Sequence, residues 1–355
     1  VLFFLLSVNL AAQPGLRQPL AVRWRYASSA TVNLTPAVEG ERVYVPLAGG
    51  ALLALRAADG QLLWKNDNGG EISCTPVADA KAAYVASEPG EVNAAHAQTV
   101  KAYVRAVSRE TGITLWARAL PTPLYGLLVA NNAAVFGVSA GGEIYALSKT
   151  TGEILWSARH TPTLSSDITL NGARLYAGSG EGVVLALDAA TGRVVWRFQA
   201  QGAARGHILA DQGALYFSSE GGHVYALHEA DGRLRWQTRA GANVQALALS
   251  PAGLLAAAFD NSVYGLNFTN GKRLWRRGLS SRLAGDLLSG PDGVLLTSLS
   301  GNLATVINPH DGKPLNTLSL GDDSSAGAAP VFAQDVVLIT GRKGLLAFAN
   351  PNQAE

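Results

Sequence analysis

Short apolar runs, some alternating with polar residues and some continuous, follow one another along the 355-residue chain, with Gly, Asp or Asn at their boundaries. Arg42-Val43-Tyr44-Val45, Ala51-Leu52-Leu53-Ala54-Leu55 and Gln61-Leu62-Leu63-Trp64 are representative. Runs of this length, rich in β-branched and aromatic residues and bounded by turn formers, read as β-strands. The runs themselves recur. All seven tryptophans (Trp24, Trp64, Trp116, Trp156, Trp196, Trp236 and Trp275) close one unit each, at intervals of 40, 52, 40, 40, 40 and 39 residues. Six of them follow a glycine by four residues (Gly60, Gly112, Gly152, Gly192, Gly232 and Gly271), and Asp, Thr or Asn precedes each glycine. A period near 40 that contains four strand-like runs is the signature of a propeller.

Taken in order, blade 1 ends at Trp64, and blades 2 to 6 end at Trp116, Trp156, Trp196, Trp236 and Trp275. Blade 7 ends at Asn316, where Asn replaces Trp. The C-terminus then supplies three strands without a fourth, and the run Leu20–Tyr26 at the other end is a fourth strand without three. Pairing them completes blade 8 and removes an exposed sheet edge. The expected fold is therefore all-β: an eight-bladed propeller of four-stranded antiparallel blades, closed by its N-terminal strand, and forming a single domain over residues 13–355. Blade 2 carries about 12 extra residues, Glu88 to Thr99, between its second and third strands.

The glycine of each unit falls in the hairpin before the outermost strand, where a positive φ excludes most residues with a Cβ. Leu55, Leu147, Leu187, Leu227 and Leu266, nine residues before their tryptophans, should face the packing between blades. The tryptophans and glycines thus read as structural docking positions. Hydrophobic residues at 48% and charged residues at 15% suit dense strand packing and exclude disorder. A net charge of +2, with no run of either sign, gives no footprint for nucleic acid. The single cysteine, Cys74, falls in an expected strand and reads as a small buried hydrophobe. Val1 to Leu10 followed by Ala11-Ala12-Gln13-Pro14 resembles the apolar core and cleavage zone of a secretory signal, so residues 1–12 are expected to be its remnant. The run is too short to span a bilayer. Export to the periplasm or beyond is expected, and no cysteine follows the run to carry a lipid.

The unit Ala-Leu-Asp-Ala-x-Thr-Gly-x-x-x-Trp, complete at Ala186–Trp196, resembles the tryptophan-docking repeat of the PQQ-type (quinoprotein-like) β-propellers. The resemblance runs from Trp24 to Phe348. It implies eight W-shaped blades, each Trp packing on a peptide of the next blade. One branch of that family, the quinoprotein dehydrogenases, binds PQQ and calcium on the propeller axis. The other is non-enzymatic and includes the BamB-type outer-membrane-protein assembly factor, a lipoprotein. The enzymatic branch implies a channel Trp that stacks on the cofactor and a ring of adjacent cysteines. Neither has a counterpart here, because every Trp is assigned to docking and Cys74 stands alone. The expectation is a non-catalytic, monomeric scaffold without PQQ, calcium or another metal, not membrane-spanning, with protein partners in the cell envelope. A PQQ-dependent dehydrogenase and a sensor binding small molecules or polymers are the alternatives.

Two motifs reduce to turns. Gly137-Val138-Ser139-Ala140-Gly141 matches G-x-S-x-G, but that motif needs a strand-to-helix elbow and here it joins two strands. Gly178-x-Gly180-x-Gly182 likewise lacks a following helix. The six histidines show no metal-ligand spacing. The channel is more informative. Alignment of the blades places Thr35, Thr75, Leu127, Asp167, His207, Ala246, Asp286 and Ala329 at the start of the innermost strands. Asp167, His207 and Asp286 should then meet at one mouth of the axis, on the face from which the blade 2 insertion emerges. Convergent polar groups beside a long loop make a candidate binding site.

Overall fold

The computed structural model describes residues 14–89, 102–299, 301–325 and 327–351. The expected signal remnant, 1–12, lies outside them, as does most of the blade 2 insertion. Eight antiparallel four-stranded blades form the ring. Blade 8 has the order Ala21–Ala27, Gly344–Ala349, Val336–Gly341, Val331–Ala333, with Trp24 opposite Ala347 and Ala27 opposite Gly344. The two ends of the chain therefore share one sheet, as the strand count requires. Blade 3 gains a fifth strand: Cys74–Thr75, the first segment of blade 2, pairs in parallel with Gly126 and Leu127. Among the described residues no helix is long and apolar enough to cross a membrane.

The two kinds of apolar run have different places. Middle strands such as Ala82–Ser87, Ala134–Ser139 and Gly344–Ala349 are buried along their whole length, because neighbouring blades cover both faces. Outer strands such as Val194–Gln199 alternate, with Trp196 buried and Val194, Val195 and Arg197 exposed. Inner strands begin after Pro36, Pro76 and Pro330, since proline has no N–H for the ladder. Cys74 is fully buried among Ala106, Leu120, Leu124 and Val135, and burial pushes its thiol pKa upward.

Each indole N–H donates to a backbone carbonyl of the next blade. Trp24 reaches Ala57 at 2.9 Å, Trp64 reaches Arg109 at 2.8 Å, and Trp116 reaches Lys149 at 2.8 Å. Trp156 reaches Ala189 at 3.1 Å, Trp196 Glu229 at 3.0 Å, Trp236 Phe268 at 2.7 Å and Trp275 Pro309 at 3.0 Å. A bulge just before the Trp aims it: Ala186 faces Trp196, but Leu187 faces Val194, leaving Val195 unpaired. The repeat glycines do adopt positive φ, +70° at Gly192. Their partner, however, is the Trp of the preceding blade rather than their own. A Cβ on Gly192 would stand 2.7 Å from Trp156 Cε3, and one on Gly60 would stand 2.5 Å from Trp24 Cε3. The glycine is needed both for the turn and as the flat floor on which the neighbour's indole lies.

Asn316 interrupts this ladder in a specific way. Its side-chain amide donates to the carbonyls of Gln18 at 2.6 Å and Leu16 at 3.3 Å, taking the role of the indole N–H at the seam between blades 7 and 8. Leu16 is fully buried against Leu295, Val306, Leu318 and Phe332, and its N–H donates to Asp292 at 2.9 Å. The segment ahead of the first strand thus fills the space that a Trp and a glycine turn fill elsewhere.

Candidate binding site at the channel mouth

Asp167, His207 and Asp286 each precede an inner strand by two residues: Thr169–Asn171 in blade 4, Leu209–Asp211 in blade 5 and Leu288–Ser289 in blade 7. They lie in the outer-to-inner crossovers rather than in the strands themselves. The residue after each is apolar and buried (Ile168, Ile208 and Leu287). Backbone alternation then turns the preceding side chain toward the axis. Ser166 holds the blade 4 crossover by accepting from Gly178 N–H at 2.6 Å and donating to the Asp167 carbonyl at 2.8 Å. Thr169 donates to the Ile208 carbonyl at 2.6 Å and so ties blade 4 to blade 5.

The three side chains meet. His207 Nε2 lies 3.1 Å from Asp167 Oδ2 and 3.3 Å from Asp286 Oδ2. One ring nitrogen carries at most one hydrogen, so it can donate to only one of the two carboxylates at a time. Burial pushes the Asp286 carboxyl above its ordinary range; His207 opposes the rise, and the charge of Asp167 adds to it. Blade 6 contributes no polar group at this level, because Ala246 occupies the position and is buried. Of the other aligned positions, Thr35 accepts from Ala329 N–H at 3.1 Å across the closing seam, and Thr75 pairs with Leu127. Those positions join blades together.

A cavity of about 520 Å³ opens beside Asp167, between blades 3 and 4. Tyr125, Ser139, Ser165, Glu181 and Arg205 line it with Asp167. Its walls combine two phases of the repeat, around the start of the inner strand (Tyr125, Ser165 and Arg205) and at the following hairpin turn (Ser139 and Glu181), drawn from successive blades, so spacing along one phase does not reveal it. No motif marks Tyr125, and Glu181 is a variable residue of the Gly178-x-Gly180-x-Gly182 turn. Burial and the adjacent Glu88 carboxylate raise the Tyr125 hydroxyl, which places the root of the blade 2 insertion next to the cavity. The G-x-S-x-G serine also lies here, and its hydroxyl accepts from Glu143 N–H at 3.2 Å within the hairpin. Ser179 accepts from Val183 N–H at 3.0 Å in the same way one blade later.

All seven indoles are committed to neighbouring blades, leaving none to stack on a planar cofactor. Among the described residues, no group of three or more His, Cys, Asp or Glu is disposed to hold a metal ion.

The blade plan and the docked tryptophans define a PQQ-type β-propeller. The sequence family described as outer membrane protein assembly factor BamB matches residues 20–126, 100–210, 140–287 and 202–355, and the chain belongs to that family. Among solved structures it is similar to BamB from Moraxella catarrhalis, with 14% identity over 95% of this chain and 99% of that one and a TM-score of 0.75. The computationally designed Ika8 protein is similar at 16% identity over 93% and 99%, with a TM-score of 0.76. Quinohemoprotein alcohol dehydrogenase from Comamonas testosteroni is similar at 13% identity over 98% of this chain but 78% of its own, with a TM-score of 0.73. At these identities the structural likeness is one of fold. No curated protein sequence matches the chain.

Proposed function

We propose that this chain is a non-catalytic protein-interaction scaffold of the cell envelope, periplasmic or secreted, that serves outer-membrane protein assembly. The observation that carries the reading is the commitment of every indole to blade docking. A ring docked in this way at seven of its eight joints is a support on which a partner can seat. The family match over residues 20–355 supports the same reading, as does the coverage of nearly the whole of a BamB chain compared with about three quarters of a dehydrogenase. The mouth carrying Asp167, His207 and Asp286 is the surface through which we expect it to act, since three polar side chains and the root of a long loop gather there.

The test is affinity purification of the tagged protein from the producing cell's envelope in mild detergent. Proteins of the outer-membrane barrel-assembly machinery should co-purify, and replacing Asp167, His207 and Asp286 together should reduce their recovery. Recovery of the chain alone, together with PQQ- and calcium-dependent dye reduction by alcohols, would overturn the scaffold reading in favour of an enzyme.

A further inference from the structure

The cavity between blades 3 and 4 carries charges of both signs that the fold itself leaves unused. Among the described residues, neither Arg205 nor Glu181 makes an ion pair, and the guanidinium of Arg205 has no hydrogen-bonding partner. Most other arginines of the ring are engaged: Arg23 with Asp335, Arg42 with Glu110, Arg118 with the Gly152 carbonyl and Arg276 with Asp260. Arg205 instead lies against Gly180, with Nη2 3.3 Å and the Ser165 hydroxyl 3.8 Å from where a Cβ there would stand. The absence of a side chain at Gly180 lets the guanidinium lie over the cavity floor.

The other walls fit this arrangement. Asp167, 3.1 Å from His207, and the exposed Tyr125 ring also line it. Val138 and Leu164 add apolar surface to the lining. A guanidinium presents paired N–H groups that match a carboxylate, while a free carboxylate such as Glu181 matches an ammonium. About 520 Å³ is within the range of small-ligand sites.

We propose that this cavity binds a short zwitterionic peptide, its terminal carboxylate on Arg205 and its terminal ammonium on Glu181, with apolar side chains against Val138, Leu164 and Tyr125. The site adjoins the partner surface at Asp167, but the proposal does not depend on the protein-partner reading. It predicts binding of small peptides by the purified protein alone, and its failure would leave the scaffold assignment untouched.

The experiment is calorimetric or NMR titration of the full chain with trialanine, N-acetyl-trialanine, trialanine amide and a neutral disaccharide. Trialanine should bind saturably, and blocking either terminus should weaken binding about tenfold, the worth of one charge-assisted hydrogen bond. Arg205→Ala should erase the difference between acid and amide. Glu181→Gln should erase the difference between free and acetylated amine. Both side chains are exposed, so neither change should disturb folding, and unchanged melting curves would verify that. The proposal fails if trialanine does not saturate, if all three peptides bind alike, if only the disaccharide binds, or if Arg205→Ala leaves the acid–amide difference intact.

Discussion

The side-chain amide of Asn316 donates to the carbonyl of Gln18 at 2.6 Å, across 298 residues of sequence. That contact, with the burial of Leu16 beneath it, makes the start of the described chain part of the ring closure. Removing the chain through Tyr26 should be severe, because it exposes the hydrogen-bonding edge of Gly344–Ala349 and empties the Leu16 site. The truncated protein should lose its cooperative urea transition or aggregate. Asn316→Ala should cost only about 1 kcal/mol, the worth of an ordinary hydrogen bond. A truncated ring that melts like the intact one would show the closure to be wrong.

Gly192 is under two constraints, a left-handed backbone and the Trp156 indole 2.7 Å from its missing Cβ. Gly192→Ala should therefore destabilise by more than about 2 kcal/mol, combining roughly 1–2 kcal/mol of backbone strain with overpacking. Trp156→Ala should cost about 3–5 kcal/mol. Because both changes damage one contact between blades 3 and 4, the double variant should lose less than the sum. Denaturant titration of all four proteins measures that coupling.

The Asp286 carboxyl is raised by burial and by Asp167, and lowered in part by His207. A carboxyl whose folded pKa exceeds its unfolded one contributes stability below the unfolded value, about 4, and loses it as pH rises through the folded value. Asp286→Asn removes that loss. The variant should gain stability over the wild type as pH increases from about 4 towards neutrality. Melting temperatures of both proteins across that range provide the test, and a difference that shrinks with pH would reverse the assigned sign.

Cys74 is fully buried and its thiol is pushed upward by that burial. Only the thiolate attacks an alkylating reagent. Maleimide labelling at neutral pH should be very slow in the folded protein and complete within minutes in concentrated urea. Rapid labelling under native conditions would mean that the packing of blade 2 against blade 3 opens readily.

Much of this ring is legible in the sequence because it is periodic. Forty-residue intervals between tryptophans locate the blades, and the surplus strand at Trp24 locates the closure. Periodicity also conceals relationships. Gly192 lies four residues before Trp196 and 36 after Trp156, and in a repeat of 40 those two spacings always occur together. The nearer one suggests a turn within a blade, whereas the farther one is the actual packing contact. The same logic separates the two parts of the channel mouth. Asp167 and His207 are one period apart and Asp286 about two periods further on, so equal phase brings them to one level of the axis. Tyr125 and Arg205, two periods apart, share a phase two residues earlier, but Glu181 lies on a hairpin of another phase, and only the three-dimensional stacking of blades reveals that they share a cavity. The Asn316 substitution was visible as a break, but its partner was not, since nothing in the apolar spacing marks Leu16 as a core residue.

The tryptophan ladder also makes the molecule report on itself. Seven of the eight joints between blades carry one indole each, stacked on a neighbour's glycine, so parting any of those joints exposes a fluorophore to water and shifts its emission to the red. The joint between blades 7 and 8 carries an asparagine instead. Were the ring to unclasp there first, intrinsic fluorescence would register nothing until a second joint failed, whereas amide hydrogen exchange at Leu16 and Arg17 would register it at once. A lag between the two signals would identify that joint as the place where unfolding begins.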